Sequence, residues 1–230
     1  MCRMIFFLAL IFLPAALFAQ DEPAFRVPDY SSINEMTSDQ NSAFYYPKLL
    51  KRYKENDTSL SPREYGMLYY GYTQQKEYSP FSGLTKEDDA LRAIFSKDKL
   101  DDNDLKAIVV QSEKYLETFP FDLKKLNMAY IASKETGDSL TANIYLEKVR
   151  NLAMVILATG DGLSKETAFH VISIPDEYAM IKMLGYDFSG DNQLSGDNCN
   201  YLGIKYNTDN IEGFYFNAKP VFGSLPQAMK

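Results

Sequence analysis

The chain has 230 residues, a formal net charge of −7, and 46% apolar against 24% charged residues. That balance excludes a disordered polyelectrolyte and sets the chain among globular proteins of one large domain or two small ones. The acidic excess, with no run of Lys and Arg, excludes recognition of nucleic acid or anionic lipid through a basic patch.

Residues 1–19 open with Arg3, continue as an apolar run to Phe18 and break at Ala19-Gln20 into Asp21-Glu22-Pro23. A positive start, an apolar stretch and a small residue at the junction predict a secretory signal peptide cleaved after Ala19. The protein is therefore expected to be exported, periplasmic or secreted, and soluble. Cys2 precedes the apolar run, whereas a lipid anchor needs its Cys at the junction, where Gln20 stands. Loss of Cys2 with the leader leaves Cys199 alone, so no internal disulfide is expected. Beyond the leader, no stretch approaches the roughly 20 apolar residues of a membrane helix, and no transmembrane anchor is expected.

Residues 20–44 are polar and weakly patterned, an N-terminal arm with one short helix predicted near residues 32–37. A helical body is expected over residues 45–160. Ser61-Pro62-Arg63-Glu64 has the form of a capping box with proline at the first helical position. The helix it starts has Tyr65, Leu68, Tyr69 and Tyr72 on its inner stripe and ends before Ser79-Pro80-Phe81-Ser82-Gly83. Another helix is predicted over residues 86–95.

Three helical segments follow. Leu105, Ile108, Val109, Ser112, Leu116 and Phe119 share a face of the first, which stops before Pro120. Leu123, Leu126, Tyr130 and Lys134 share a face of the second, which stops at Gly137. The third opens near Asp138-Ser139, carries Tyr145, Val149, Leu152 and Ile156 inward, and stops at Gly160 as a C-terminal cap. Its last two turns, Leu152 to Ala158, are apolar nearly all round and predict a central, buried helix. The lengths and tight turns are weakly tetratricopeptide-like, without that repeat's signature positions.

Residues 161–230 change character. Ala168 to Ser173 alternates as a strand does, and Pro175-Asp176-Glu177 opens a short helix ending at Gly185. Tyr201 to Tyr206 and Gly213 to Asn217 read as strands. The expected fold class is α+β: a body of stacked antiparallel helices with a small C-terminal antiparallel sheet packed on it.

Several stretches together carry a resemblance. They are Tyr45-Tyr46-Pro47-Lys48-Leu49-Leu50-Lys51-Arg52-Tyr53, Leu60-Ser61-Pro62-Arg63-Glu64-Tyr65, Leu68-Tyr69-Tyr70-Gly71-Tyr72, Gly160-Asp161-Gly162 with Ala168-Phe169-His170-Val171-Ile172, Asp176-Glu177-Tyr178, and Gly213-Phe214-Tyr215-Phe216-Asn217. The chain resembles an exported bacterial family catalogued as domain of unknown function 4919. The resemblance implies secretion and a single unit, and implies no activity, cofactor or site residue.

Candidate chemistry is sparse. His170, the single histidine, can act as a general base or metal ligand, and Asp176 and Glu177 follow on the next element. Adjacent acids diverge, however, and favourable charge at a helix start accounts for them structurally. Ser189-Gly190-Asp191-Asn192 recurs as Ser195-Gly196-Asp197-Asn198. Residues 187–200 thus form an oxygen-rich segment able to wrap Ca²⁺, or two ordinary turns joining strands.

Tyrosine is abundant, 17 residues with no Trp. Tyr70 points away from the core stripe and is the expected surface tyrosine, and Tyr215 lies on the aromatic strand. Both are candidate binding residues where the helical body meets the sheet. The expected function is a non-enzymatic exported interaction module or periplasmic scaffold. It would bind a protein or peptide of the cell envelope, with no cofactor and no metal. The alternatives are a cell-envelope hydrolase using Asp176, Glu177 and His170, and a glycan-binding module using exposed tyrosines.

Overall fold

The computed structural model describes residues 26–80, 86–194 and 198–224. The expected leader, the breaker residues Phe81-Ser82-Gly83, and Ser195-Gly196-Asp197 of the second Ser-Gly-Asp-Asn stretch lie outside the described residues. Within them the helices are α1 (Tyr30–Ser38), α2 (Tyr46–Lys54), α3 (Pro62–Gly71, extended by a 3-10 turn at Tyr72–Gln74), α4 (Lys86–Phe95), α5 (Asp102–Thr118), α6 (Leu123–Glu135) and α7 (Ser139–Leu157). They continue as β1 (Phe169–His170), α8 (Ile174–Met183), β2 (Phe188–Leu194), β3 (Cys199–Ile204), β4 (Gly213–Asn217) and α9 (Lys219–Gly223). The class is α+β.

Local hydrogen bonds start the helices. The Ser61 hydroxyl accepts from the Glu64 amide while the Glu64 carboxylate accepts from the Ser61 amide. These reciprocal bonds close two orphan donors of α3. Asp101 and Asp104 make the same box at α5, and Asp122 and Asp138 cap α6 and α7. Short links at residues 119–122 and 136–138 fold α5, α6 and α7 back on one another. α4 lies against α5, and α3 against α7.

One apolar core runs through both parts. Leu49, Leu68, Leu126, Leu152 and Ile156 of the helices join Phe169, Met180, Leu202 and Phe216 of the C-terminal third. The tyrosines of α2, α3 and the segment after α3 belong to it, and their hydroxyls tie distant loops. Tyr53 donates to the Pro120 carbonyl at 2.9 Å, Tyr72 to that of Thr118 at 3.0 Å and Tyr78 to that of Ile172 at 2.7 Å. The tyrosine richness is thus mainly a packing device, with a large apolar ring and a polar tip that finds a partner.

Four expectations need correcting. Tyr70 is buried, because α1 docks on the outer side of α3 and sets Tyr30 edge-on to it with ring centroids 6.0 Å apart. On α6, Ala129 and Ser133 complete the buried face with Leu123 and Leu126, while Lys134 is exposed. The small residues permit close approach of α5 and α7 to α6, so the large Tyr130 lies on the flank. Among the described residues the end of α7 is not covered all round: α3, α6 and β1 pack on it and leave Met154 57% exposed. Gly160 has no left-handed backbone; a Cβ there would stand 1.9 Å from the Thr167 carbonyl oxygen. Close backbone approach, not a helix cap, demands this glycine.

Among the described residues the sheet has the order β1-β4-β3-β2. β1 runs parallel to β4, pairing Phe169 with Phe216 and His170 with Asn217, so the sheet is mixed where an antiparallel one was expected. β3 is antiparallel to β4 and β2. The oxygen-rich stretch read as turns or a cation loop supplies β2. The ladder bonds offered by β3 override its poor strand propensity. A register shift between Phe188 and Asn192, with Gly190 at φ +100, marks the irregularity.

Candidate functional site

The first turn of α8 carries Asp176 and Glu177, both buried. Asp176 accepts from the Tyr69 hydroxyl at 2.8 Å and from the Leu123 amide at 3.3 Å, which ties α3 and the start of α6 to α8. Burial, reinforced by the neighbouring Asp122, pushes its carboxyl up to about 7. Glu177 turns the other way and accepts from the Asn200 side-chain amide of β3 at 2.8 Å. Burial pushes it up to about 8. The pair diverges as expected, but the reason differs: groups driven toward neutrality act as hydrogen-bonded ties more than as charges at a helix start.

His170 is half-buried on β1. Its amide donates to the Thr159 hydroxyl at 2.9 Å, and its carbonyl accepts from the Tyr70 hydroxyl at 3.2 Å. Burial, with Lys219 nearby, brings the imidazole down to about 4, and Nδ1 is buried without a hydrogen-bond partner among the described residues. None of the hydrogen bonds of Asp176 and Glu177 involves His170.

Tyr70 and Tyr215 are not brought together. Tyr70 is internal, whereas Tyr215 is half-buried on the outer sheet face, 4.9 Å from Tyr201 with ring planes 51° apart. Tyr201 was not singled out from the sequence, and it stands opposite Tyr215 in the β3–β4 register. The junction of helices and sheet is filled by packing. A cavity of about 30 Å³ lined by Tyr72, Tyr78, Asp122, Ile172 and Asp176 is found there, space on the order of a single water.

A larger opening lies along the uncovered side of α7. Asn143, Leu146, Arg150 and Met154 recur at spacings of three and four and form one wall. Pro62 and Arg63 at the start of α3 form the other, Tyr70 and Val155 lie at its base, and Arg26 stands at one end. The Arg26 amide donates to the Ala158 carbonyl at 2.8 Å, fixing that end. The groove encloses about 1020 Å³, and Leu146 and Met154 are 40% and 57% exposed. The sequence signal was the apolar end of α7, which periodicity alone assigns to the core.

The groove gathers three arginines and a single carboxylate, Glu147. Of the described arginines, Arg52 holds Asp57 and Glu64, and Arg92 holds Asp89. Arg26, Arg63 and Arg150 form no ion pair among the described residues and all line the groove. The guanidinium of Arg63 lies 4.6 Å over the Phe44 ring. Among the described residues no group of three or more His, Cys, Asp and Glu gathers for a metal. Asp187 is instead engaged by Lys182.

The model of a family described as a domain of unknown function (DUF4919) matches residues 31–224. The chain belongs to this family. The DUF4919 match starts within α1, ends just past α9, and takes in Arg63, Leu146, Arg150 and Met154 of the groove but not Arg26. Comparison with curated proteins found no match, and neither did comparison with solved structures. No helix of the described residues is long and apolar enough to cross a membrane.

Proposed function

We propose that this chain is an exported, non-enzymatic interaction module, a periplasmic or secreted scaffold whose α3–α7 groove binds a peptide segment of a protein partner in the cell envelope. The observation that carries this reading is the groove itself, an opening of about 1020 Å³ that leaves Leu146 and Met154 exposed beside arginines that form no ion pair among the described residues. Apolar side chains left open at the centre of a polar rim are the usual composition of a protein-binding surface. Export is supported by the leader-like residues 1–19. The carboxyls of Asp176 and Glu177 are engaged in holding elements together and make no bond to His170, which favours the scaffold over the hydrolase reading.

Site-specific photo-crosslinking in the cell envelope tests the proposal. A benzophenone side chain placed at Met154 is expected to yield a discrete adduct with one protein, while the same group at Ile131, 48% exposed on α6, yields none. Equal adduct patterns from both positions, or none from 154, would overturn it.

A further inference from the structure

We propose that the groove takes an extended acidic segment, its carboxylates held by Arg63 and Arg150 and its apolar side chains laid against Leu146 and Met154. This names the occupant of the groove proposed above and rests on that reading. The first argument is charge. In a chain of net charge −7, the arginines without a carboxylate, Arg26, Arg63 and Arg150, stand together on one groove. A guanidinium offers a planar fork of donors that matches a carboxylate bidentately, and it stays charged at every working pH.

The second argument is preorganisation. Arg63 packs over Phe44 at 4.6 Å, with Nη2 turned toward the Met36 sulfur at 3.8 Å. Its fork is oriented before a ligand arrives, which lowers the entropy lost on binding.

The third argument is pattern and length. Arg150 lies four residues from both Leu146 and Met154, so cationic and apolar contacts alternate along one face of α7. Glu147 shares the groove and disfavours an unbroken acidic run, so acidic residues alternating with apolar ones fit best. The wall from Asn143 to Ala158 is about 22 Å long at 1.5 Å per residue. An extended segment of about seven residues covers that distance.

The test is selection of a displayed random heptapeptide library on the mature chain. It is run in parallel on Arg63→Gln/Arg150→Gln and on Leu146→Asp/Met154→Asp, with unchanged melting temperatures checked for both variants. Wild type is expected to enrich peptides that alternate Asp or Glu with apolar residues. The best of these, made synthetically, should bind the arginine variant at least about 10-fold more weakly, the loss expected from removing charge-assisted bonds. High salt should weaken it too.

Enriched peptides without acidic residues, or an undiminished affinity for the arginine variant, would overturn the acidic occupant. If the aspartate variant still lost such peptides, the groove reading would stand. No enrichment over bare support, or capture untouched by Leu146→Asp/Met154→Asp, would overturn the groove reading itself. Concentration-dependent dimers abolished by Met154→Asp would replace the peptide by a second copy of this chain.

Discussion

Two regions of this molecule hold charge-bearing side chains that form no ion pair among the described residues, and they resolve that condition in opposite ways. On α8, Asp176 and Glu177 are sealed in the core without a cation, and burial pushes both toward the protonated form. Along α3 and α7, Arg63 and Arg150 form no ion pair among the described residues and cannot surrender their protons. A carboxyl can enter a core by becoming neutral and keeping its hydrogen bonds. An arginine cannot, so it remains at the surface with its donors available. The same chemical imbalance is a structural tie in one place and a recognition surface in the other.

Core truncation gives the largest effect separating the regions. Leu68→Ala should destabilise by about 2–5 kcal/mol, as large-to-small core changes do. Tyr70→Ala should fall in the same range, because Tyr70 is internal. Met154→Ala should stay within about 0.5 kcal/mol. Urea unfolding of the three variants measures this, and a large loss at Met154 would mean that the α7 wall is covered.

The second prediction concerns pH. Between about pH 4 and 8 the folded chain keeps protons on Asp176 and Glu177 that the unfolded chain has released. Stability should therefore fall as pH rises through that window. His170, brought down to about 4, opposes this only below its ordinary value near 6.5, and Asp57, held at about 2, contributes only in stronger acid. Lys148, brought down to about 8 by burial, acts in the opposite sense only above that pH. The melting temperature should be higher at pH 5 than at pH 7.5, and Asp176→Asn with Glu177→Gln should flatten the difference. A wild-type melting temperature that rises over this range would show that the α8 carboxyls are charged in the fold.

The smallest stability effect is the sharpest contrast. Arg63→Gln and Arg150→Gln should each leave stability within about 0.5 kcal/mol of wild type, since neither side chain is ion-paired among the described residues. Thermal unfolding of each single variant decides this. A loss of several degrees at either position would make that arginine a structural partner instead of a ligand contact.

What the sequence revealed follows the range of the forces involved. The start of α3 was legible because Ser61 and Glu64 bond to each other's amides within one turn. β2 was not, since its strand conformation depends on β3, and its Ser-Gly-Asp-Asn composition favours turns. Tyr70 was assigned to the wrong environment because α1 returns to cover it, which helical periodicity within α3 cannot register. The groove was hidden for the mirror reason. Met154 reads as a core residue, and only the positions of α3 and α6 show which side of α7 is left open.

The bond between Tyr69 and Asp176 joins positions 107 residues apart, and this sets an order of events for a chain made from its N terminus. The helices up to residue 160 can be synthesised and begin to associate. Yet the hydroxyl at the centre of α3 has its carboxyl partner only after α8 has emerged. An unpaired buried hydroxyl penalises early closure, and contacts so distant along the chain slow folding. The helical part should thus lack a stable state of its own, and unfolding should be one cooperative transition for helices and sheet. A nascent chain would stay open until its final third arrives, and the groove on α7 would take shape only when the whole protein does.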